Sequence, residues 1–402
     1  MIRRSLSRTF RQVALPGLFS LALLAVGPLS AQESLPVPGP AADVRVPPMP
    51  APPELSARSY LLVDFDSGQT LVEKNADEPM EPASITKLVS TYVIFEALER
   101  GDISLDDEVV VSERAWRKGG SKMFIEVGDR VSVDNLLKGV IVQSGNDATI
   151  ALAEHVSGSV EAFVQEMNAT ARRLGMDNSY FLNTTGWPAE GHVMSARDIA
   201  KVMAAMIRDF PDQYARYSQK EFTWNEIRQH NRNRLLWRDP SVDGGKTGHT
   251  SSAGYCLVAS AQREATRMIA VVLGTDSDAV RTEQTQTLLN FGFRFYETLP
   301  IRQAGEVLGD ARVWKGAVSE VPVGLAEDLS VTVARNQRNQ VGVSLVIDGP
   351  LIAPLQAGTA VGRLQVTADE QMIAERPVVA LESVEQGGLV GRTIDGIRLM
   401  FE

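Results

Sequence analysis

Gly254-Tyr255-Cys256-Leu257-Val258-Ala259-Ser260-Ala261 and Met268-Ile269-Ala270-Val271-Val272-Leu273-Gly274 are two short apolar runs that read as neighbouring strands of one sheet. Just ahead of them, Lys246-Thr247-Gly248-His249-Thr250 follows Val242-Asp243-Gly244-Gly245, which places it on an edge strand of that sheet. At the other end of the chain, Tyr60 to Phe65, the turn Asp66-Ser67-Gly68 and Gln69 to Val72 read as a β-hairpin. Helical spacing fills the interval. One helix opens at Ser84, carries Leu88, Tyr92, Val93, Phe95 and Leu98, and is closed by Gly101. Others run from about Val133 to His155, from Ser195 to Arg208 and from Asp278 to Thr298. A hairpin, then helices, then strands and a last helix requires the first and last strands to meet in one helix-covered sheet, an α/β layered domain.

Beyond about Pro300 the runs Leu329 to Ala334, Val341 to Ile347, Thr359 to Val366 and Met372 to Leu381 are short, β-like and broken by Gly, Pro and Asp, predicting a small all-β domain over 300–387. Residues 388–402 follow, with Val390, Ile394, Ile397 and Phe401 able to line one helical face. This tail reads either as an interfacial membrane helix or as a terminal helix docked on the β domain. Residues 1–31 combine Arg3, Arg4, Arg8 and Arg11 with an apolar Val13–Val26 stretch and a small-residue exit at Ala31, the pattern of a secretory signal peptide, with a retained anchor as the alternative. Residues 32–56, dense in proline, form a stiff linker, and 57–299 form the α/β domain.

The chain holds 40 Lys and Arg against 50 Asp and Glu in 402 residues. Nucleic acid is therefore not an expected partner. Cys256 is the single cysteine, so no internal disulfide is expected. His155, His192, His230 and His249 lie far apart without ligand spacing, and neither a metal nor another cofactor is expected.

Three strings carry chemistry. In Ser84-Ile85-Thr86-Lys87 the lysine lies on the same helical face as the hydroxyl and can take its proton, provided that burial and a second lysine lower its pKa. Lys246 is the candidate neighbour. A serine at a helix N-terminus also has free backbone N–H groups to offer a developing oxyanion. Ser144-Gly145-Asn146 sits inside a helical stretch where Gly and Asn are poor, which predicts a break presenting a hydroxyl and an amide to a site. Lys246 and Thr247 would bind a carboxylate, Gly248 would let a ligand backbone approach, and the His249 N–H would be a second oxyanion donor.

With these strings in place, the chain resembles the D-alanyl-D-alanine carboxypeptidases, the low-molecular-mass penicillin-binding proteins of the bacterial envelope. The resemblance rests on Pro82-Ala83-Ser84-Ile85-Thr86-Lys87, Gln143-Ser144-Gly145-Asn146-Asp147-Ala148, Ser195-Ala196-Arg197-Asp198, Ile227 to Asn233 and Asp243 to Thr250, and it continues through Gly292 to Thr298 into the β domain. It implies an antiparallel sheet flanked by helices, of the penicillin-binding and serine β-lactamase type, plus a small all-β C-terminal domain. It also implies a mechanism on peptidoglycan stem peptides ending in D-Ala-D-Ala. Ser84 attacks the carbonyl between the terminal D-alanines while Lys87 takes its proton. Ser144 and Lys246 protonate the leaving D-alanine, and water hydrolyses the acyl-enzyme. Asn146 holds the substrate amide, and Arg281 joins Lys246 and Thr247 on the terminal carboxylate. β-Lactams would acylate Ser84, and the protein would be periplasmic, peripheral on the outer face of the cytoplasmic membrane. Relatives differ around Lys118 to Phe124, where this chain is several residues shorter. A β-lactamase would need a Glu followed three and four residues later by Leu and Asn, and no Glu between Asn146 and Lys246 has that sequence after it. An endopeptidase on the same catalytic plan and a non-catalytic envelope binding protein remain as alternatives.

Overall fold

The computed structural model describes residues 50–400; the expected signal peptide, 1–31, and most of the expected linker, 32–56, lie outside them. Five antiparallel strands form the central sheet in the order Thr70–Lys74, Ser59–Asp64, Thr266–Thr275, Gly254–Arg263 and Val242–Thr250. The hairpin from the start of the chain thus pairs with a strand some two hundred residues later, Leu61 opposite Val271, and Val242–Thr250 is the edge.

The unbroken apolar runs have a simple cause. Side chains alternate across a strand, so a sheet buried on both faces needs apolar residues at every position. Leu61, Val258, Ile269, Val271 and Leu273 point into the large helical core. Leu62, Leu257, Ala259, Ala270 and Val272 face the other way, against Leu288 and Leu289 of the Asp278–Phe295 helix. Each fully buried Val or Leu contributes roughly 1.5–3 kcal/mol.

The helical stretch from Val133 is broken where the sequence predicts. An α-helix Val133–Lys138 passes into a π-helical turn Gly139–Gln143, Ser144 adopts a left-handed φ of 63°, and a new helix runs Asn146–Ser157. Two boundaries differ from expectation. The helix expected to begin at Ser84 starts as a 3-10 turn, Ala83–Thr86, before the α-helix Lys87–Glu99. The helix expected to reach Thr298 ends at Phe295, because Tyr296–Arg302 pairs antiparallel with Leu329–Ala334 and buries Leu299 and Ile301 in the C-terminal core.

That core is separate from the catalytic ones. A six-stranded sheet orders Val341–Ile347, Ala360–Ala368, Gln371–Ala380, Glu320–Leu325, Gly309–Trp314 and Leu351–Ile352. The two domains meet where Thr298 Oγ1 donates to the buried Asp64 at 2.5 Å and Ser67 Oγ lies 2.6 Å from Thr332 Oγ1. The final helix, Leu389–Arg398, touches the β domain through Asp395, which accepts from the Lys315 N–H at 2.7 Å. Its Leu389, Val390, Ile394 and Ile397 are exposed. Among the described residues no helix is long and apolar enough to cross a membrane.

Candidate active site

Ser84 lies in the 3-10 turn at the foot of the Lys87–Glu99 helix, half-buried at the floor of a cleft of about 880 Å³. One helical turn later Lys87 is fully buried, its Nζ 3.1 Å from Ser84 Oγ. The amine also donates to Asn146 Oδ1 at 2.7 Å and to the Thr185 carbonyl at 2.9 Å. Two of these partners are carbonyl oxygens and only accept; the third is a hydroxyl that can donate. A neutral amine fits this set well: two N–H groups go to the carbonyls and the lone pair faces the Ser84 proton. Burial, reinforced by the charge of Arg232, lowers the Lys87 pKa to about 7. The group is therefore a competent base near neutrality.

Ser144 comes to the same cleft from the break in the helix. Its left-handed φ turns the hydroxyl toward the edge strand, where Lys246 Nζ donates to it at 2.9 Å. Lys246 is buried, and desolvation followed by the charge of Lys87 holds its pKa well below the usual lysine value. The influence between the lysines runs from Lys87 onto Lys246, whereas Lys87 is lowered by its burial and by the charges of Arg232 and Lys118 rather than by Lys246 as the sequence suggests. Asn146 spans two walls, accepting from Lys87 and donating through Nδ2 to the Gly119 carbonyl at 2.8 Å.

The Val242–Thr250 strand is pressed close to the nucleophile turn. A Cβ on Gly248 would lie 2.6 Å from the Pro82 carbonyl oxygen and 3.2 Å from Ala83 Cβ. Glycine is required there by the protein's own backbone, a demand separate from the expected approach of a ligand backbone. Thr247, Gly248 and His249 line the cleft, and the His249 ring packs against Tyr255 with centroids 3.9 Å apart and planes tilted by 32°.

Ser84, Ser144 and the edge strand line one cleft, and Lys87 and Lys246 are hydrogen-bonded to the two serines. Residues 47–277 match the D-alanyl-D-alanine carboxypeptidase family model, and 296–386 match the model of the penicillin-binding protein 5 C-terminal domain. The chain belongs to the D-alanyl-D-alanine carboxypeptidase family. D-alanyl-D-alanine carboxypeptidase DacC of Escherichia coli (strain K12) is 44% identical over 357 residues, 87% of this chain and 89% of that protein. Penicillin binding protein 5 from Haemophilus influenzae superposes with a TM-score of 0.81 at 40% identity, covering 84% of this chain and 99% of that one. Penicillin-Binding Protein D2 from Listeria monocytogenes, solved in an ampicillin-bound form, has a TM-score of 0.55 at 28% identity over 60% of this chain and 98% of that one.

Within this carboxypeptidase site Arg281 reaches the cleft from behind the edge strand. It is buried and its guanidinium is engaged, pairing with Asp278 and donating to the carbonyls of Gly248 at 3.0 Å and Cys256 at 3.2 Å. Arg281 therefore holds the strand, and the exposed cations lining the cleft are Arg232 and Arg234, the second paired with Asp278 at 2.6 Å. Arg232 was present in the Ile227–Asn233 string but carried no chemical signal there.

Three further residues set the geometry without having been singled out. The Asp147 carboxylate is buried and accepts from the backbone N–H groups of Met123, Phe124 and Ala148, each at 2.9 Å, pinning the 118–125 wall to the helix that carries Asn146. Asn183 Oδ1 accepts from the N–H groups of Thr185, Gly186 and Trp187, which shapes the loop whose Thr185 carbonyl holds Lys87. His192 locks that loop to the nucleophile helix. Its Nδ1 accepts from the Leu182 N–H at 3.1 Å, which leaves the proton on Nε2 to be donated to Thr86 Oγ1 at 2.9 Å. Burial lowers the His192 pKa to about 4, so it is neutral in this role. Among the described residues no group of three or more His, Cys, Asp or Glu stands together as a metal site would require.

Proposed function

We propose that Ser84 is the nucleophile and Lys87 its base in a serine-type D-alanyl-D-alanine carboxypeptidase acting on peptidoglycan stem peptides. The observation that carries this reading is the pair of short contacts, Ser84–Lys87 at 3.1 Å and Ser144–Lys246 at 2.9 Å, facing one cleft in a chain of this family. Ser84 Oγ bonds to the penultimate carbonyl carbon as its proton passes to Lys87, and the backbone N–H groups of Ser84 and His249 receive the oxyanion. The C–N bond then breaks, and the leaving amine takes a proton through Ser144 and Lys246. Water completes the cycle by hydrolysing the ester. Asn146 and Gly248 border the acyl group. Thr247 and Lys246, with Arg232 in front and Arg281 behind, supply positive potential for the terminal carboxylate.

A β-lactam presents a comparable amide and carboxylate, so Ser84 is also its site of acylation. In this reading residues 1–31 direct export, 32–56 space the enzyme from the surface it leaves, 57–299 catalyse, and 300–387 form the β domain. Residues 388–402 hold the protein to the outer face of the cytoplasmic membrane through the exposed apolar face of the last helix. The test is release of free D-alanine from an acyl peptide ending in D-Ala-D-Ala, together with covalent labelling by fluorescent penicillin. Ser84→Ala abolishes both. Labelling that survives the substitution refutes the nucleophile.

A further inference from the structure

The strand that carries Lys246 changes face part-way along. Val242 pairs with Ala261, and both belong to the core beneath the Asp278–Phe295 helix. Lys246 pairs with Val258, which belongs to the opposite, helical core. Residues four apart on a regular strand point the same way, so an unbroken strand could not do this. The register shifts between Val242 and Gly244, where Asp243 stands as an extra residue with no partner on the neighbouring strand, a β-bulge. A one-residue change of register turns every later side chain to the other face. Without the bulge Lys246 would point away from Ser144; with it, Lys246 Nζ lies 2.9 Å from Ser144 Oγ.

The Asp243 carboxylate is held from two sides. Oδ2 accepts from Arg267 Nη1 at 2.6 Å, and Oδ1 accepts from the Tyr214 hydroxyl at 3.2 Å. Arg267 also donates to Ser260 Oγ at 2.6 Å, on the residue that faces Gly244 across the strands. Tyr214 is buried, and burial together with the charge of Asp243 holds its pKa well above the usual phenol value, so it stays a hydroxyl and donates. It also fills the space beside the bulge, since a Cβ on Gly244 would lie 2.4 Å from the Tyr214 hydroxyl oxygen. Tyr214 stacks on Tyr217 with centroids 5.6 Å apart. The Tyr217 hydroxyl lies 2.6 Å from Thr91 Oγ1, which itself donates to the Lys87 carbonyl at 2.8 Å. The bulge is thus braced against the helix that bears the other lysine.

We propose that Asp243 is a positioning residue for acylation: clamped by Arg267 and Tyr214, it fixes the bulge that turns Lys246 onto Ser144. The inference rests on the reading that Ser144 and Lys246 protonate the leaving amine.

The test uses the full chain and two substrates with the same acyl group and the same terminal carboxylate. One is a peptide ending in D-Ala-D-Ala; the other is the thioester in which sulfur replaces the nitrogen of the scissile bond. The amine must take a proton to leave, whereas a thiolate leaves as the anion. Asp243→Asn keeps the side-chain shape but removes the charge and one acceptor, and Tyr214→Phe removes one donor and leaves the ion pair. The peptide-to-thioester ratio of kcat/KM is expected to fall about tenfold in Asp243→Asn and about threefold in Tyr214→Phe, the loss of one charged and one neutral hydrogen bond. Effects on carboxylate binding or on overall folding lower both substrates together and cancel in the ratio. If Asp243→Asn does not fold, Tyr214→Phe carries the same comparison. A ratio that stays at the value of the unsubstituted chain overturns the proposal, provided that Lys246→Met lowers it. If Lys246→Met leaves the ratio unchanged as well, the leaving-group reading fails, and the crystal structure of Asp243→Asn decides the positioning role. Lys246 Nζ displaced beyond about 3.5 Å from Ser144 Oγ supports it. A contact kept at 2.9 Å overturns it.

Discussion

Replacing Asn146 with Asp exchanges the carboxamide oxygen 2.7 Å from Lys87 Nζ for a carboxylate oxygen of nearly the same shape. An opposite charge at that range raises a lysine pKa by about 1–3 units. Starting from about 7, Lys87 would then titrate at roughly 8–10. The neutral fraction at pH 7 falls from about one half to between ~10% and ~0.1%, so acylation slows about 5- to 500-fold at that pH. The assay is the second-order rate of acylation by a fluorescent penicillin across a pH series. The unsubstituted chain is expected to gain about tenfold per pH unit below pH 7 and then level, as for a single group that must lose its proton. Asn146→Asp keeps that slope and moves the inflection upward, so that the rate recovers in alkaline buffer. The new side chain also loses the Nδ2 donation to the Gly119 carbonyl, which lowers the plateau. Plateau and inflection are separate observables. An inflection that stays near pH 7 above a lowered plateau refutes the assignment of the base to Lys87.

Three other outcomes follow from the pins around the site. His192 has a folded pKa near 4, below the 6.5 of a free histidine, so between those values the unfolded chain binds more protons and stability falls as pH falls, by at most about 3 kcal/mol. His192→Gln is expected to flatten the difference in urea midpoint between pH 7 and pH 4. Gly186 has φ +78°, and a Cβ there would stand 1.7 Å from the Ala83 carbonyl oxygen, backbone against backbone. Gly186→Ala should cost about 2–5 kcal/mol and remove penicillin labelling, read by thermal midpoint and gel fluorescence. Deletion of residues 389–402 removes the exposed Leu389, Val390, Ile394 and Ile397, and co-sedimentation with anionic lipid vesicles is expected to be lost while D-alanine release is kept.

What was legible in the sequence divides along physical lines. The sheet could be read because both of its faces are buried, so its strands are unbroken apolar runs. The break at Ser144 could be read because Gly145 and Asn146 interrupt a helical period. The Val160–Arg173 helix was not read, although it has a Ser159 cap accepting from the Ala162 N–H and an apolar stripe through Val160, Phe163 and Met167. Gly309–Trp314 and Glu320–Leu325 were also missed, because charged and small residues such as Asp310, Arg312 and Glu320 interrupt their apolar positions. Within the site, Ser84, Lys87, Ser144 and Lys246 were legible because their chemistry lies in their side chains. Thr185 was not, since it acts through a carbonyl that every residue possesses. Arg281 was assigned from resemblance to the substrate, whereas its contacts are with the chain itself.

The residues that frame the cleft share one task. Ala83 at φ 48°, Phe124 at φ 70° and Ser144 at φ 63° are non-glycine residues in left-handed backbone, all next to the cleft. Each such conformation costs of order 1–3 kcal/mol and persists only where the surroundings over-determine it. Ala83 is held by the approach of Gly186 and Gly248, glycine at both places because no Cβ fits. Phe124 is held by the Asp147 carboxylate on its N–H. Ser144 is followed by Gly145, whose N–H donates to the Gly139 carbonyl at 2.9 Å and closes the π-helical turn. Polar pins such as the buried Asp147 and His192 and the half-buried Asn183 therefore offset strain that the reacting groups impose, without touching a substrate. Substitution at these pins should change the geometry of acylation and the stability together, whereas Ser84→Ala removes the chemistry and leaves the strained frame standing.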